Sequence, residues 1–253
     1  MKITVITPTI RSNSLGMNKK CLERQTLKDF EWVVVSPFES KEGTWIKEPP
    51  KKEGDYYGLN KAWNEGLRYA KGELIVFIVD LLWFPPETLE HLWLHYQANP
   101  KVCVGLLGNQ YIEVVNGKPE NLVWQDPRQR EENFYKIPPY DLELCLASIP
   151  KQGIYDVGAF DEEFDKFPAW SEKEMCCRME KLGYTFKLDE SVQYRALKHP
   201  RLNEEWDKKY PESYAYFQKC YQEIQDGKRL KLDYLPEKCY KDFRVSSENE
   251  VPA

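Results

Sequence analysis

Apolar residues follow two alternating rhythms along the first hundred positions: short continuous runs, and recurrences every three or four residues. Three runs rich in β-branched side chains, Ile3 to Thr7, Trp32 to Val35 and Leu74 to Val79, read as strands buried on both faces. From Gly58 to Lys71, the residues Leu59, Ala62, Trp63, Gly66, Leu67 and Ala70 fall on one face of an amphipathic helix. Lys71-Gly72 is expected to end it as a glycine C-cap. Pro85-Pro86 is expected to open a further helix reaching Asn99, with Leu89, Leu92, Trp93 and Tyr96 along one face. Strands alternating with helices imply an α/β fold with a right-handed, mostly parallel sheet between helices.

The middle of the chain breaks this rhythm. Val102 to Leu107 and Tyr111 to Val115 read as two strands, and Asn116-Gly117 is a hairpin signal, so a small antiparallel portion is expected. Glu120 to Tyr140 is polar and irregular, the signature of a loop over a site. Ser171 to Gly183 returns to helical spacing. Beyond Pro200, Trp206, Tyr210, Tyr214, Tyr216, Phe217 and Tyr221 suggest one or two helices packed on the main body. With no repeat or linker, the expectation is one domain over 1–200, a helical extension over 201–245 and a disordered tail over 246–253.

Composition narrows the class. The chain has 253 residues, 42% hydrophobic and 30% charged, which suits one large globular domain. Its longest apolar run is interrupted by Asp80, too short and too charged to span a bilayer. No signal-peptide pattern follows Met1, so a cytoplasmic location without stable membrane insertion is expected. The net charge of -5 argues against a nucleic-acid partner. Seven cysteines without a C-x-x-C pair read as free thiols, with Cys176-Cys177 half-buried.

In open parallel sheets, ligands bind beyond the carboxyl ends of the strands. Those ends are Thr7-Pro8-Thr9-Ile10-Arg11, Ser36-Pro37-Phe38-Glu39 and Asp80-Leu81-Leu82. A carboxylate at the edge of an apolar core needs a partner. For Asp80 that is a helix cap, a salt bridge to a nearby Lys, or a divalent metal. His91 and His95 stand at the i, i+4 spacing of a zinc face, but the sequence offers no third ligand, so a solvated helix face is expected.

Several segments in register resemble family 2 glycosyltransferases. Ile3 to Arg11 looks like that family's opening strand and loop, and Cys21 to Val35 like its first helix and second strand. Gly58 to Gly66 with Lys71 to Phe77 resembles the helix and strand that lead to the DxD element. Val157-Gly158-Ala159-Phe160-Asp161-Glu162 and Trp170 to Arg178 are similar to the GGFDE segment and the ED helix. The resemblance covers about residues 1 to 200 and implies a GT-A-like, Rossmann-like fold. It implies transfer of a sugar from a nucleoside-diphosphate sugar, a UDP-sugar, to an acceptor hydroxyl. It places Glu172 as general base for an inverting reaction, with Glu174 as the fallback. Asp80 and His199 would hold Mn²⁺ or Mg²⁺. The donor would be met by Thr7, Pro8, Thr9, Arg11, Ser36, Asn60, Lys61, Asn64, Val79 and Asp80.

The chain departs from the pattern in specific places. DxD is reduced to Val79-Asp80-Leu81, the acid after the second strand is replaced by Ser36-Pro37, the arginine before the helix Asn is Trp63, and the ED pair is Ser171-Glu172. Arg11 or Lys61 could supply lost positive charge, although a solvated surface position is the default for both. The rival readings are a non-catalytic nucleotide- or glycan-binding protein, and a nucleotidyltransferase. The second is disfavoured because Thr9-Ile10-Arg11-Ser12-Asn13 is not a glycine-rich phosphate loop. Glycan, lipid-linked sugar, protein and modified DNA base all stay open as acceptor. Trp83, Trp124 and Trp170 are candidate sugar platforms. No oligomeric state is implied.

Overall fold

The computed structural model describes residues 1–130, 132–198 and 205–235. In chain order the strands are β1 (Ile3–Pro8), β2 (Phe30–Ser36), β3 (Thr44–Lys47), β4 (Leu74–Ile78), β5 (Leu82–Trp83), β6 (Val102–Val115), β7 (Lys118–Trp124), β8 (Phe134–Lys136), β9 (Leu146–Pro150) and β10 (Thr185–Leu197). The helices are α1 (Leu15–Glu23), α2 (Leu59–Tyr69), α3 (Thr88–Ala98), α4 (Lys151–Asp156), α5 (Ser171–Lys181) and α6 (Trp206–Gln225).

The described strands form one sheet in the order β3-β2-β1-β4-β9-β6-β10-β5, with β7 on β6 and β8 on β10. β3, β2, β1 and β4 run parallel, as do β6 and β10. β9 enters antiparallel between β4 and β6, while β5, β7 and β8 add short antiparallel pairs.

Side chains alternate across each strand and so divide between two cores. From β4, Ile75 and Phe77 face a core shared with Trp63 and Leu67 of α2, Ile154 of α4 and Met175 of α5. Leu74, Val76 and Ile78 face the opposite core, with Leu22 of α1 and Leu89, Leu92 and Trp93 of α3. The sheet is therefore covered on both faces, which explains its unbroken apolar runs. Burying each such aliphatic side chain contributes about 1.5 to 3 kcal/mol.

Several local expectations change. The helix after Pro85-Pro86 begins at Thr88, because the Thr88 backbone N–H and hydroxyl first close a turn onto the Pro85 carbonyl. The two strands expected over 102–115 are one, β6. Its outer half rises from the core into a hairpin with β7, turned by Asn116 (φ 52°) and Gly117 (φ 77°). The segment from Glu120 to Tyr140 is not one irregular loop, since it holds the end of β7 and all of β8. Gly72 is not a left-handed cap. A Cβ there would lie 2.3 Å from the Thr4 amide nitrogen, so glycine serves the close approach of this turn to β1.

α6 packs on α5 through Cys177, Phe217, Cys220 and Ile224, beside Phe164. The chain then returns to the main body. Leu235 joins the α2-side core, and the Leu232 amide donates to the Val157 carbonyl. Gly158, at φ 73°, lies directly beneath Leu232, where a Cβ would meet the Leu232 carbonyl oxygen at 1.6 Å. The 246–253 segment lies outside the described residues. Cys21, Cys103, Cys176, Cys177 and Cys220 are buried free thiols and Cys145 is partly exposed, so the Cys176-Cys177 pair is more buried than its sequence suggests.

Candidate functional site at the carboxyl rim of the sheet

A cleft of about 410 Å³ opens where β1, β2 and β4 end. Pro8, Thr9 and Arg11 enter from the β1 loop, and Val79 and Asp80 from the end of β4. The turn after β4 is tightly held. The Val79 amide donates to the Cys145 carbonyl, the Asn18 side-chain amide donates to the Val79 carbonyl, and Asn18 Oδ1 accepts from the Leu82 amide. Between these bonds Leu81 adopts φ 61°, a left-handed conformation costly for a non-glycine residue.

That turn holds the Asp80 carboxylate, 7% exposed, against two donors from β1's loop. Arg11 Nη1 lies 3.0 Å from both oxygens, and the Thr9 hydroxyl donates to Oδ2 at 2.7 Å. Thr9 Oγ1 also accepts from the Arg11 amide, so the loop folds back on itself to present the guanidinium. Asp80 is thus paired with Arg11 and Thr9, where the sequence offered a helix cap, a lysine or a metal as its partner.

The cleft's apolar lining includes Tyr57, Pro168 and Trp206. Two further wall residues carry charge: Glu48, after β3, and Lys51. Burial raises the Glu48 carboxyl above its ordinary value, partly offset by the Lys51 charge. Glu48, Lys51, Tyr57, Cys145, Pro168 and Trp206 escape the sequence reading. The usable signal was a carboxylate just past Thr44–Lys47, but that strand buries only Ile46 and has no visible apolar run.

The other expected donor contacts do not line this cleft. Thr7 is fully buried, its hydroxyl accepting from the Trp32 indole at 3.0 Å. The Ser36 hydroxyl donates to the Phe38 carbonyl and accepts from the Trp45 indole. Asn60 is turned toward Asp165, which caps the start of α2 by accepting from the Asn60 and Lys61 amides and from the Asn60 side chain. Lys61 is buried in an ion pair with Asp55 rather than solvated. Asn64 bonds both the amide and the carbonyl of Phe160, fixing the Gly158–Phe160 segment to α2.

Glu172 lies in the first turn of α5, half-buried, with the Ser171 hydroxyl 3.4 Å away. Trp170, two residues earlier, takes φ 76° and stacks on Phe217 of α6 at 4.8 Å, which fixes the helix entry. Burial raises the Glu172 carboxyl above its ordinary range, outweighing the adjacent Lys173 charge. Glu172 is not itself among the cleft-lining residues. Burial, then Glu143 and more weakly Glu172, push the Cys145 thiol on the cleft wall up to about 12. The fallback residue Glu174 is placed differently. It is fully buried and locked between Arg178 and Arg229.

A divalent ion at Asp80 would find a single acid already facing a guanidinium cation. Among the described residues, Asp80 belongs to no group of three or more metal-ligating side chains. His199 lies outside the described residues.

Residues 51–162, from the cleft wall through Asp80 to Glu162, match the family model described as Glycosyl transferase family 2. No curated protein matches the sequence. Among solved structures, GalNAc-T7 with UDP, GalNAc and Mn²⁺ aligns over 98% of this chain and 54% of that one, at 14% identity and a TM-score of 0.63. S. aureus TarS 1-349 in complex with UDP aligns over 98% of this chain and 74% of that one, at 16% identity and TM-score 0.59. The same protein in complex with UDP-GlcNAc aligns over 88% and 65%, at 18% identity and TM-score 0.60. The chain thus spans about half the length of GalNAc-T7. At such identities the likeness is one of fold. This chain is a GT-A-fold protein that matches glycosyl transferase family 2 across the segment containing Asp80.

Proposed function

We propose that the chain transfers a sugar from a nucleoside-diphosphate sugar, a UDP-sugar, to an acceptor hydroxyl with inversion at the anomeric carbon. The observation that supports this best is the Arg11–Asp80–Thr9 cluster on the cleft wall, whose Asp80 lies in the segment that matches the glycosyl transferase family model. The Glu172 carboxylate removes the acceptor proton as the oxygen bonds to the anomeric carbon. The bond from that carbon to the diphosphate breaks on the opposite face, and the diphosphate leaves with the electron pair. A carboxylate raised by burial binds that proton more readily than a solvated one.

Arg11 meets the developing charge on the diphosphate, while Asp80 and Thr9 hold the guanidinium in place. Glu48 faces the nucleoside, taking the place of the acid absent at Ser36. The acceptor's class is left open by these residues, although the net charge of -5 disfavours DNA.

A second reading, a nucleotide- or glycan-binding protein without turnover, is favoured by the ion pair that Asp80 makes with Arg11. Thermal-shift titration of UDP and UDP-sugars, in EDTA and in Mn²⁺, tests the donor site, since a ligand of the folded state raises its apparent stability. Stabilisation that persists in EDTA and is lost in Arg11→Ala supports the Arg11 role. Stabilisation that needs Mn²⁺ and ignores Arg11 overturns it, and no stabilisation by any donor overturns the transfer reading in favour of the second.

A further inference from the structure

On the α3-covered face of the sheet, away from the residues that line the cleft, three metal-ligating side chains meet. His91 Nε2 and His95 Nε2 each lie 2.6 Å from the same oxygen, Asp189 Oδ2, and 3.2 Å from one another. The sequence reading left this histidine pair as a solvated face for want of a third ligand. β10 supplies it. We propose that His91, His95 and Asp189 form a divalent transition-metal site, with zinc the ion it fits best.

The donor set and its spacing support this. Two imidazoles and a carboxylate suit zinc, which binds His nitrogen and carboxylate oxygen at about 2.0 to 2.2 Å. Donor atoms around a tetrahedral ion at that distance stand roughly 3.4 Å apart. The two nitrogens are within a few tenths of an ångström of that spacing at 3.2 Å, and the carboxylate oxygen, at 2.6 Å, has to retreat by less than one. An ion about 2.1 Å from all three atoms would sit about 1.3 Å above their plane. The His91 and His95 side chains are 29% and 20% exposed, so the solvent side offers a fourth position for water.

The ligands are also held. The histidines are one helical turn apart on α3, and the His95 ring stacks on Phe134 at 4.1 Å. Asp189, 1% exposed, stands where the β10–β6 register shifts, an irregularity that re-aims side chains. Its second oxygen accepts from the Ser191 amide at 2.8 Å and the Ser191 hydroxyl at 2.6 Å. A ligating carboxylate oriented by outer hydrogen bonds is the arrangement that stable metal sites use. Bound metal would tie α3 to β10.

The test uses the full chain, free of any tag and stripped by chelator, titrated with Co²⁺ by visible absorption and with Zn²⁺ by calorimetry. One equivalent of Co²⁺ with the intense bands of a four-coordinate site, displaced by Zn²⁺, is expected. His91→Gln and His95→Gln should each abolish the bands, Ser191→Ala should weaken binding roughly tenfold, and Asp80→Asn should leave it intact. Unfolding curves in EDTA check that each variant folds, and His91→Gln, at the more exposed ligand, carries the test if His95→Gln does not. The absence of stoichiometric binding, binding indifferent to the His91 substitution, or binding lost in Asp80→Asn would each overturn the assignment, leaving only a hydrogen-bonded clamp.

Discussion

Arg11 Nη1 sits 3.0 Å from each carboxylate oxygen of Asp80, joining residues 69 positions apart across the ends of β1 and β4. The pair is unevenly buried, with side chains 25% and 7% exposed. Arg11→Ala strands the more buried partner, so stability in urea should fall by about 1 to 3 kcal/mol, below the full cost for a buried pair because Arg11 is partly solvated. Asp80→Asn on the Arg11→Ala background should recover part of that loss. A strictly additive double mutant would show that the two groups do not interact.

The tie between the C-terminal segment and the main body rests on Arg229. It pairs with Asp161, 3% exposed, and with Glu174, fully buried, while the Tyr216 and Tyr234 hydroxyls also donate to Asp161. Arg229→Ala leaves two buried carboxylates short of a cation and should cost about 3 to 5 kcal/mol in chemical denaturation. A loss under 1 kcal/mol would mean that the segment is not integral to the fold.

Asp165 makes a stability dependence on pH. Burial, outweighing the hydrogen bonds it accepts from Asn60 and Lys61, raises its carboxyl to about 6. An acid raised on folding binds its proton more tightly in the native state. Its stabilising contribution is therefore full below the unfolded value and lost as pH climbs through about 6. The wild type should lose on the order of 2 to 3 kcal/mol more than Asp165→Asn between pH 4 and pH 7. Parallel stability curves for the two proteins over that range would refute it.

Much of this architecture is legible in the chain because β1, β2 and β4 are covered on both faces and leave uninterrupted apolar runs. β3 and β8 are not legible, since four and three residues bury too few side chains to show a period. β9 reads Leu-Ala-Ser-Ile-Pro and carries neither rhythm, although it is wholly buried between β4 and β6. The site divides the same way. Asp80 stands out by position and Glu172 by the family resemblance, but Arg11 as the partner of Asp80 is a contact between distant segments. The histidine spacing on α3 was visible, whereas Asp189 lies 94 residues beyond His95. Asn60, Lys61 and Asn64 looked available for a ligand because the acids and backbone groups that hold them come from other parts of the chain.

The raised Glu172 carboxyl predicts an acid limb in the pH profile of sugar transfer. The base must be ionised to accept a proton, so kcat/KM should fall as pH drops through a value above the ordinary Glu range. Lys173→Ala, which removes a charge that lowers this group, should move the limb to higher pH. A limb unmoved by that substitution would assign it to another residue.

The most direct test is turnover of a UDP-sugar by the wild type and by Glu172→Gln, with donor affinity measured on the same samples. The account predicts release of UDP by the wild type, a rate lowered by roughly 10² to 10⁴-fold in the variant, and an unchanged donor Kd. Equal rates in the two proteins would contradict it.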